Sequence, residues 1–182
     1  MNPLDAADNC FKIRLEIVAG GSGAFMGIID EPDQKAPPGY IFTAPRRNLR
    51  VDPRTPVQPG IVVRTPGGLL FMLQALGPSE QMGGTFKSFR LFQATHYLQW
   101  QRRIETVDPV TQMKKDGGLA DLGMIYCAYE PQQKEQLDRT LHTSFETSLV
   151  LTIAPLLRDD LVNGYKVDRA DNMGALWVCT VG

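Results

Sequence analysis

Three cysteines and two histidines leave this chain of 182 residues little to build catalytic chemistry from. Cys10, Cys127 and Cys179 are far apart, and none forms a C-x-x-C pair, which argues against a zinc site or a dithiol redox motif. Cys127 and Cys179 lie in apolar runs and read as buried free thiols suited to a reducing cytosol. His96 and His142 have no acid or nucleophile beside them in sequence of the kind a hydrolytic triad uses. No G-x-S-x-G elbow is present. The glycine-rich run 19–24 lacks the Gly-Lys-Ser/Thr of a phosphate loop and reads as a turn. The acid pairs Asp159-Asp160 and Asp168/Asp171 border turns and are too few for a calcium loop. Catalytic residues, cofactor and metal are therefore all expected to be absent.

Charge of one sign is lacking too. Nineteen basic against twenty acidic residues give a net charge of −1, unlike a whole-surface nucleic-acid binder. No apolar run approaches the ~18 residues of a membrane span. The opening MNPLDAADNC lacks the basic and apolar regions of a secretory leader. Long helical periodicity is missing, and 17 glycines and 13 prolines favour turns and irregular connections.

What is present is alternation. In residues 141–153 the odd positions are Leu141, Thr143, Phe145, Thr147, Leu149, Leu151 and Ile153, and the even positions are mostly polar. Period two with one greasy face is the mark of a half-buried strand. Asn163-Gly164 between Leu161-Val162 and Tyr165-Lys166-Val167 reads as a hairpin turn, because a type I′ turn needs positive φ at both central residues. The same reasoning predicts strands at 11–18, 61–65, 69–75, 98–104, 122–129, 165–170 and 175–181. One or two helical turns are expected within 132–139, after Pro131. No internal repeat is visible in the residues. The expectation is a mainly β protein, an antiparallel β-barrel or sandwich with long loops, forming a single domain over 1–182.

Two segments stand apart. Residues 31–66 hold eight of the 13 prolines, together with Arg46, Arg47, Arg50 and Arg54. Proline pairs poorly in a sheet and breaks helices, so the segment is expected to run extended as an arm. Tyr40, Ile41, Phe42 and Leu49 are costly to leave in water, and arginine pairs bidentately with carboxylate or phosphate. The arm is therefore expected to lie on a partner through Tyr40, Phe42 and its four arginines. Residues 107–121 read as a long polar loop, with Lys114 and Lys115 at its tip and a Gly117-Gly118 hinge.

Several stretches resemble the small β-barrel head-completion, or neck, proteins of tailed bacteriophages, including the stopper and head-closure types. The resemblance rests on DDLVNGYKV, DNMG and ALWVCTV near the C-terminus, on PGIVVRTPGGLLFML, and on YLQWQRR followed by DPVTQMKKDGGL. It spans roughly residues 59–181; residues 1–58 match nothing in the group. It implies a structural, non-enzymatic virion protein in a ring beneath the portal, twelve copies favoured and six the alternative. The implied partners are the portal or adaptor above and tail-tube or terminator proteins below, with no membrane. Lys114 and Lys115 would then make non-specific, salt-dependent contact with packaged DNA. The alternatives are another virion role, as tail-tube adaptor or capsid decoration, or a cytosolic ligand-binding β-barrel or small enzyme whose site assembles only in space.

Overall fold

A computed structural model describes residues 12–30, 47–76, 86–133 and 146–182. Among these residues the regular structure is all strand: β1 (Ile13–Ala19), β2 (Ala24–Ile29), β3 (Arg47–Val51), β4 (Val62–Arg64), β5 (Leu70–Ala75), β6 (Lys87–Gln93), β7 (His96–Val107), β8 (Lys114–Gln133), β9 (Glu146–Thr152), β10 (Leu161–Val162), β11 (Tyr165–Asn172) and β12 (Trp177–Val181). They close into two antiparallel barrels, β1-β2-β3-β6-β5-β4 and β7-β8-β9-β12-β11-β10. The second ring closes through the two-residue β10, which pairs with β7 on one side and β11 on the other.

The expected barrel is thus present twice. By contacts the chain divides into two compact units, residues 1–94 with Met173–Leu176, and Thr95–Asn172 with Trp177–Gly182. The two rings have the same strand order, first-second-third-sixth-fifth-fourth, so the fold repeats although the residues show no repeat. The link from third to fourth strand repeats as well. In barrel 1 it contains Pro56-Val57, and the Val57 N–H donates to the Thr55 carbonyl at 2.8 Å. In barrel 2 it contains Pro155-Leu156, and the Leu156 N–H donates to the Ala154 carbonyl at 2.8 Å. Each proline centres a tight three-residue turn, where its fixed φ suits the bend. Each turn drops the next side chain, Val57 or Leu156, into the core of its barrel.

The core of barrel 1 is aliphatic and aromatic: Leu15, Leu49, Val51, Val57, Ile61, Val63, Phe71, Leu73, Phe89 and Leu91. Leu49/Val51, Phe71/Leu73 and Phe89/Leu91 each sit two apart on one strand, as a one-sided strand requires. The core of barrel 2 combines Ile125, Cys127, Val150, Leu156, Val162, Val167, Cys179 and Val181 with half-buried Leu98, Trp100, Tyr129 and Trp177. Both thiols are fully buried and free. Burial pushes each thiol up to about 12, so neither is a thiolate at neutral pH.

The arm expected over 31–66 fails for residues 47–66. Arg47–Val51 is a central strand, paired with β2 and β6. Leu49 is fully buried inside its own barrel. The prolines flank this strand instead of interrupting it. Residues 31–46, with Tyr40, Phe42 and Arg46, lie outside the described residues, as does most of the helical stretch expected over 132–139. Gln132 and Gln133 belong to β8. The strand expected over 141–153 is described as Glu146–Thr152.

Candidate interaction surface

The longest ladder joins β7 to β8, from His96↔Cys127 to Val107↔Lys114. Its lower part is barrel wall, with Leu98, Trp100 and Ile125 turned to the core. Beyond that, residues 103–119 are exposed on both faces except for Asp108. A two-stranded ribbon therefore projects with no packing of its own.

Two bulges shape it. The register shifts between Trp100 and Gln101 and between Arg103 and Glu105. The β8 side carries Asp121-Leu122-Gly123 at the first shift and Asp116-Gly117-Gly118 at the second. In each, the aspartate carboxylate accepts the N–H of the glycine two residues on, at 2.9 Å for Gly123 and 3.0 Å for Gly118. Those glycines have φ of +96° and +90°, where a side chain would be strained. Gly117 has a separate reason to be glycine: a Cβ there would lie 2.8 Å from Thr106 Cγ2 and 2.9 Å from the Ile104 carbonyl oxygen. The expected glycine hinge is thus a paired bulge, which fixes and twists a strand.

The tip is built as firmly. Asp108 Oδ1 accepts the N–H of Val110 at 2.8 Å and of Thr111 at 3.3 Å. The Gln112 N–H donates to the Asp108 carbonyl, and the Asp108 N–H donates to the Met113 carbonyl, both at 2.9 Å. Asp108 thus caps the turn, and Pro109 supplies the fixed φ that follows such a cap. Val107, Val110 and Met113 project from this turn at 56%, 87% and 69% exposure.

The ribbon's charges are paired across the strands. Glu105 and Asp116 face each other, a repulsive pairing. Lys114 pairs with Glu105 at 2.5 Å, and Arg103 lies 3.7 Å from Asp116. Lys115 pairs with Asp108 at 2.6 Å. The Lys115 contact, helped by the two backbone N–H groups, holds the Asp108 carboxyl below its usual range, and the Glu105 contact raises Lys114. Exposed pairs of this kind add little to stability. Their effect is to leave the ribbon neutral, with apolar side chains as its unmet surface.

Lys114 and Lys115 are therefore not a loop tip. They are the first residues of β8, and the connecting loop shrinks to 108–113. Of the arginines expected to reach a partner, Arg47, Arg50 and Arg54 are engaged on barrel 1. Arg50 pairs with Asp30 and lies 5.7 Å from the Phe86 ring centre. Arg54 makes two hydrogen bonds to the Asp52 carboxylate, at 3.0 and 2.8 Å, which lower that carboxyl to about 2. Arg47 lies 5.8 Å from the Phe71 ring centre. His96 bonds Thr95 through Nδ1 at 2.8 Å and meets Tyr129 edge to face. His142 lies outside the described residues.

One polar cluster is buried. Asp160, 1% exposed, accepts from Trp100 Nε1 at 3.0 Å, from Arg102 Nε at 2.8 Å and Nη2 at 2.9 Å, and from the Leu157 N–H at 2.9 Å. Arg102 also reaches the Pro155 carbonyl at 3.0 Å. Burial works to raise the Asp160 carboxyl, but the donors from Arg102, Leu157 and Trp100 outweigh it and hold it below its ordinary value. The cluster ties the link between β9 and β10 to β7, a structural task. Sequence reasoning treated Asp160 as a turn residue and missed the apolar tip. The signal for the tip was Val107, Val110 and Met113 spaced three apart around Asp108-Pro109.

Comparison with protein-family models, curated proteins and solved structures finds no match to this chain.

Proposed function

We propose that this protein is a non-enzymatic assembly subunit of the head-completion kind, part of the ring at the head-to-tail junction of a tailed phage. The observation that carries this reading is the ribbon of residues 103–119, neutral, shaped by two bulges and tipped with apolar side chains. A closed barrel has no free edge to accept a strand, so a contact must use loops, barrel walls or a projection. The ribbon is a projection whose Val107, Val110 and Met113 gain about 25 cal/mol for each Å² removed from water. Its paired charges favour a protein neighbour over DNA, so the reading does not rest on Lys114 or Lys115. The chain would take its place in the virion by seating this tip on a neighbouring subunit, in a ring of twelve or six copies.

The test is complementation. A phage supplying only the double variant Val110→Asp, Met113→Asp should make heads that fail to join tails, with the purified variant folding normally. Normal joining with that variant would overturn the reading.

A further inference from the structure

We propose that a cleft on barrel 1, between the glycine-rich turn 20–23 and the turn that follows β4, is a binding site for a phosphate group. The site belongs to barrel 1 alone and does not depend on the assembly reading. Two observations point to an anion. The first is the distribution of charge. The described part of barrel 1 carries eight lysines and arginines against three carboxylate side chains, Glu16, Asp30 and Asp52, a surplus of five cations. The described part of barrel 2 carries seven against ten. The net charge of −1 for the whole chain hides this contrast. Each carboxylate of barrel 1 already sits beside an arginine: Glu16 by Arg64, Asp30 by Arg50, and Asp52 by Arg54.

The second observation is the cleft itself. It measures about 650 Å³, and Arg14 and Arg64 both line it. That volume falls within the range of small-ligand sites. Leu15 points into the core, so Arg14 and Glu16 on either side of it point outward. Arg64 lies directly opposite Glu16 on β4, which makes Arg14 its diagonal neighbour, within reach of a long side chain. Two arginines turned to one cleft repel each other. Glu16 offsets one of them at most, and at 3.6 Å from Arg64 Nη1 it makes no hydrogen bond. Arg14 is exposed and has no ionic or hydrogen-bonded partner among the described residues. Ser22 and Thr65 add hydroxyls to the lining. The Thr65 oxygen accepts from the Leu69 N–H at 3.1 Å, so its own proton is left to donate. The Ile17 N–H donates to the Gly23 carbonyl at 2.9 Å and fixes the turn, while glycine leaves its backbone open to close approach. A phosphate group, with its several peripheral oxygens, can accept from both guanidinium groups and both hydroxyls together.

The test uses two probes at low ionic strength, inorganic phosphate followed by calorimetry and a short DNA duplex of random sequence followed by fluorescence anisotropy. The parent protein should bind at least one of them. Arg14→Ala combined with Arg64→Ala should weaken that binding at least tenfold. Ser22→Asp, which keeps both arginines and alters an exposed turn residue, should do the same. Arg54→Ala removes a charge from the same barrel outside the cleft and should change binding less than twofold. If DNA is bound, the slope of log affinity against log salt should also fall by about 2 in the double variant, as for two lost phosphate contacts. Binding of DNA identifies a nucleic-acid backbone as the source of the phosphate; binding of inorganic phosphate alone identifies a small phosphate compound. Absence of binding to both probes overturns the proposal. So does an equal loss with Arg54→Ala, which would reduce the effect to diffuse charge. Competition by polyglutamate as effective as by DNA of equal charge would also overturn it, making the surface a site for acidic protein.

Discussion

Barrel 1 uses seven and six residues for its first two strands; barrel 2 uses twelve and twenty. The ring order is the same in both, and so is the proline-centred turn that drops Val57 or Leu156 into the core. The difference lies in one hairpin. In barrel 1 it turns through the glycine-rich residues 20–23 close to the wall. In barrel 2 the equivalent hairpin runs past the wall and becomes the ribbon. Closing a barrel needs only the short version, so the extra length answers to something other than folding. The cores differ too. Barrel 1 is held by an apolar cluster, whereas barrel 2 adds a buried carboxylate with four donors.

That contrast breaks most readily at Asp160. Asp160→Ala leaves the Arg102 guanidinium and Trp100 N–H without their acceptor and should cost about 3 kcal/mol or more. Urea denaturation of a Cys10→Ser background, followed by labelling of Cys127 and Cys179, reads barrel 2 directly, since both thiols are buried there and the described part of barrel 1 has none. The midpoint for labelling should fall sharply. The pH dependence has a definite sign. A carboxyl held low in the folded state stabilises above its unfolded value, and that stability is lost as pH falls through the folded one. Labelling of the parent protein should therefore ease only in acid below the ordinary aspartate value of 3.8. Asp160→Ala should remove this acid step, and its persistence would refute the assignment.

Leu49→Ala is the matching cut in barrel 1. Leu49 is fully buried, and truncation should cost about 3 kcal/mol through lost burial and a cavity. The labelling midpoint of barrel 2 is the control for whether the loss stays in one ring. A smaller effect belongs to Gly123→Ala, where a side chain at φ +96° should cost about 1 kcal/mol. This variant sharpens the comparison, because it should also reduce tail joining by redirecting the tip. Unchanged tail joining would mean that the bulge does not aim the ribbon.

Strands were legible where one face is buried and the other wet, as in Leu15 with its polar neighbours Arg14 and Glu16. β3 also alternates, with Leu49 and Val51 inside, but Pro45 and Pro53 on either side made it read as an arm. The ribbon was misjudged for the opposite reason. With both faces in water it has no apolar-polar alternation to display, so residues 107–121 read as loop although Val107 and the residues from Lys114 onward lie in strands. The repeat stayed hidden because ring order belongs to pairing between distant strands, and different side chains satisfy the same pattern. Asp160 looked like any turn aspartate, since its partners Trp100 and Arg102 lie some sixty residues earlier in the chain.

The two Asp-x-Gly bulges carry a consequence for how this protein can vary. At about 3.3 Å per residue, the strand beyond Arg103 carries the tip on the order of 15 Å outward. Adding one residue to each strand between bulge and tip would lengthen that reach and reverse which face the tip side chains occupy; adding two to each would lengthen it further and restore the face. The permitted lengths of the ribbon are therefore quantised. Longer ribbons that keep the tip on the same face should differ by even numbers of residues per strand, with both aspartate-glycine pairs kept in place.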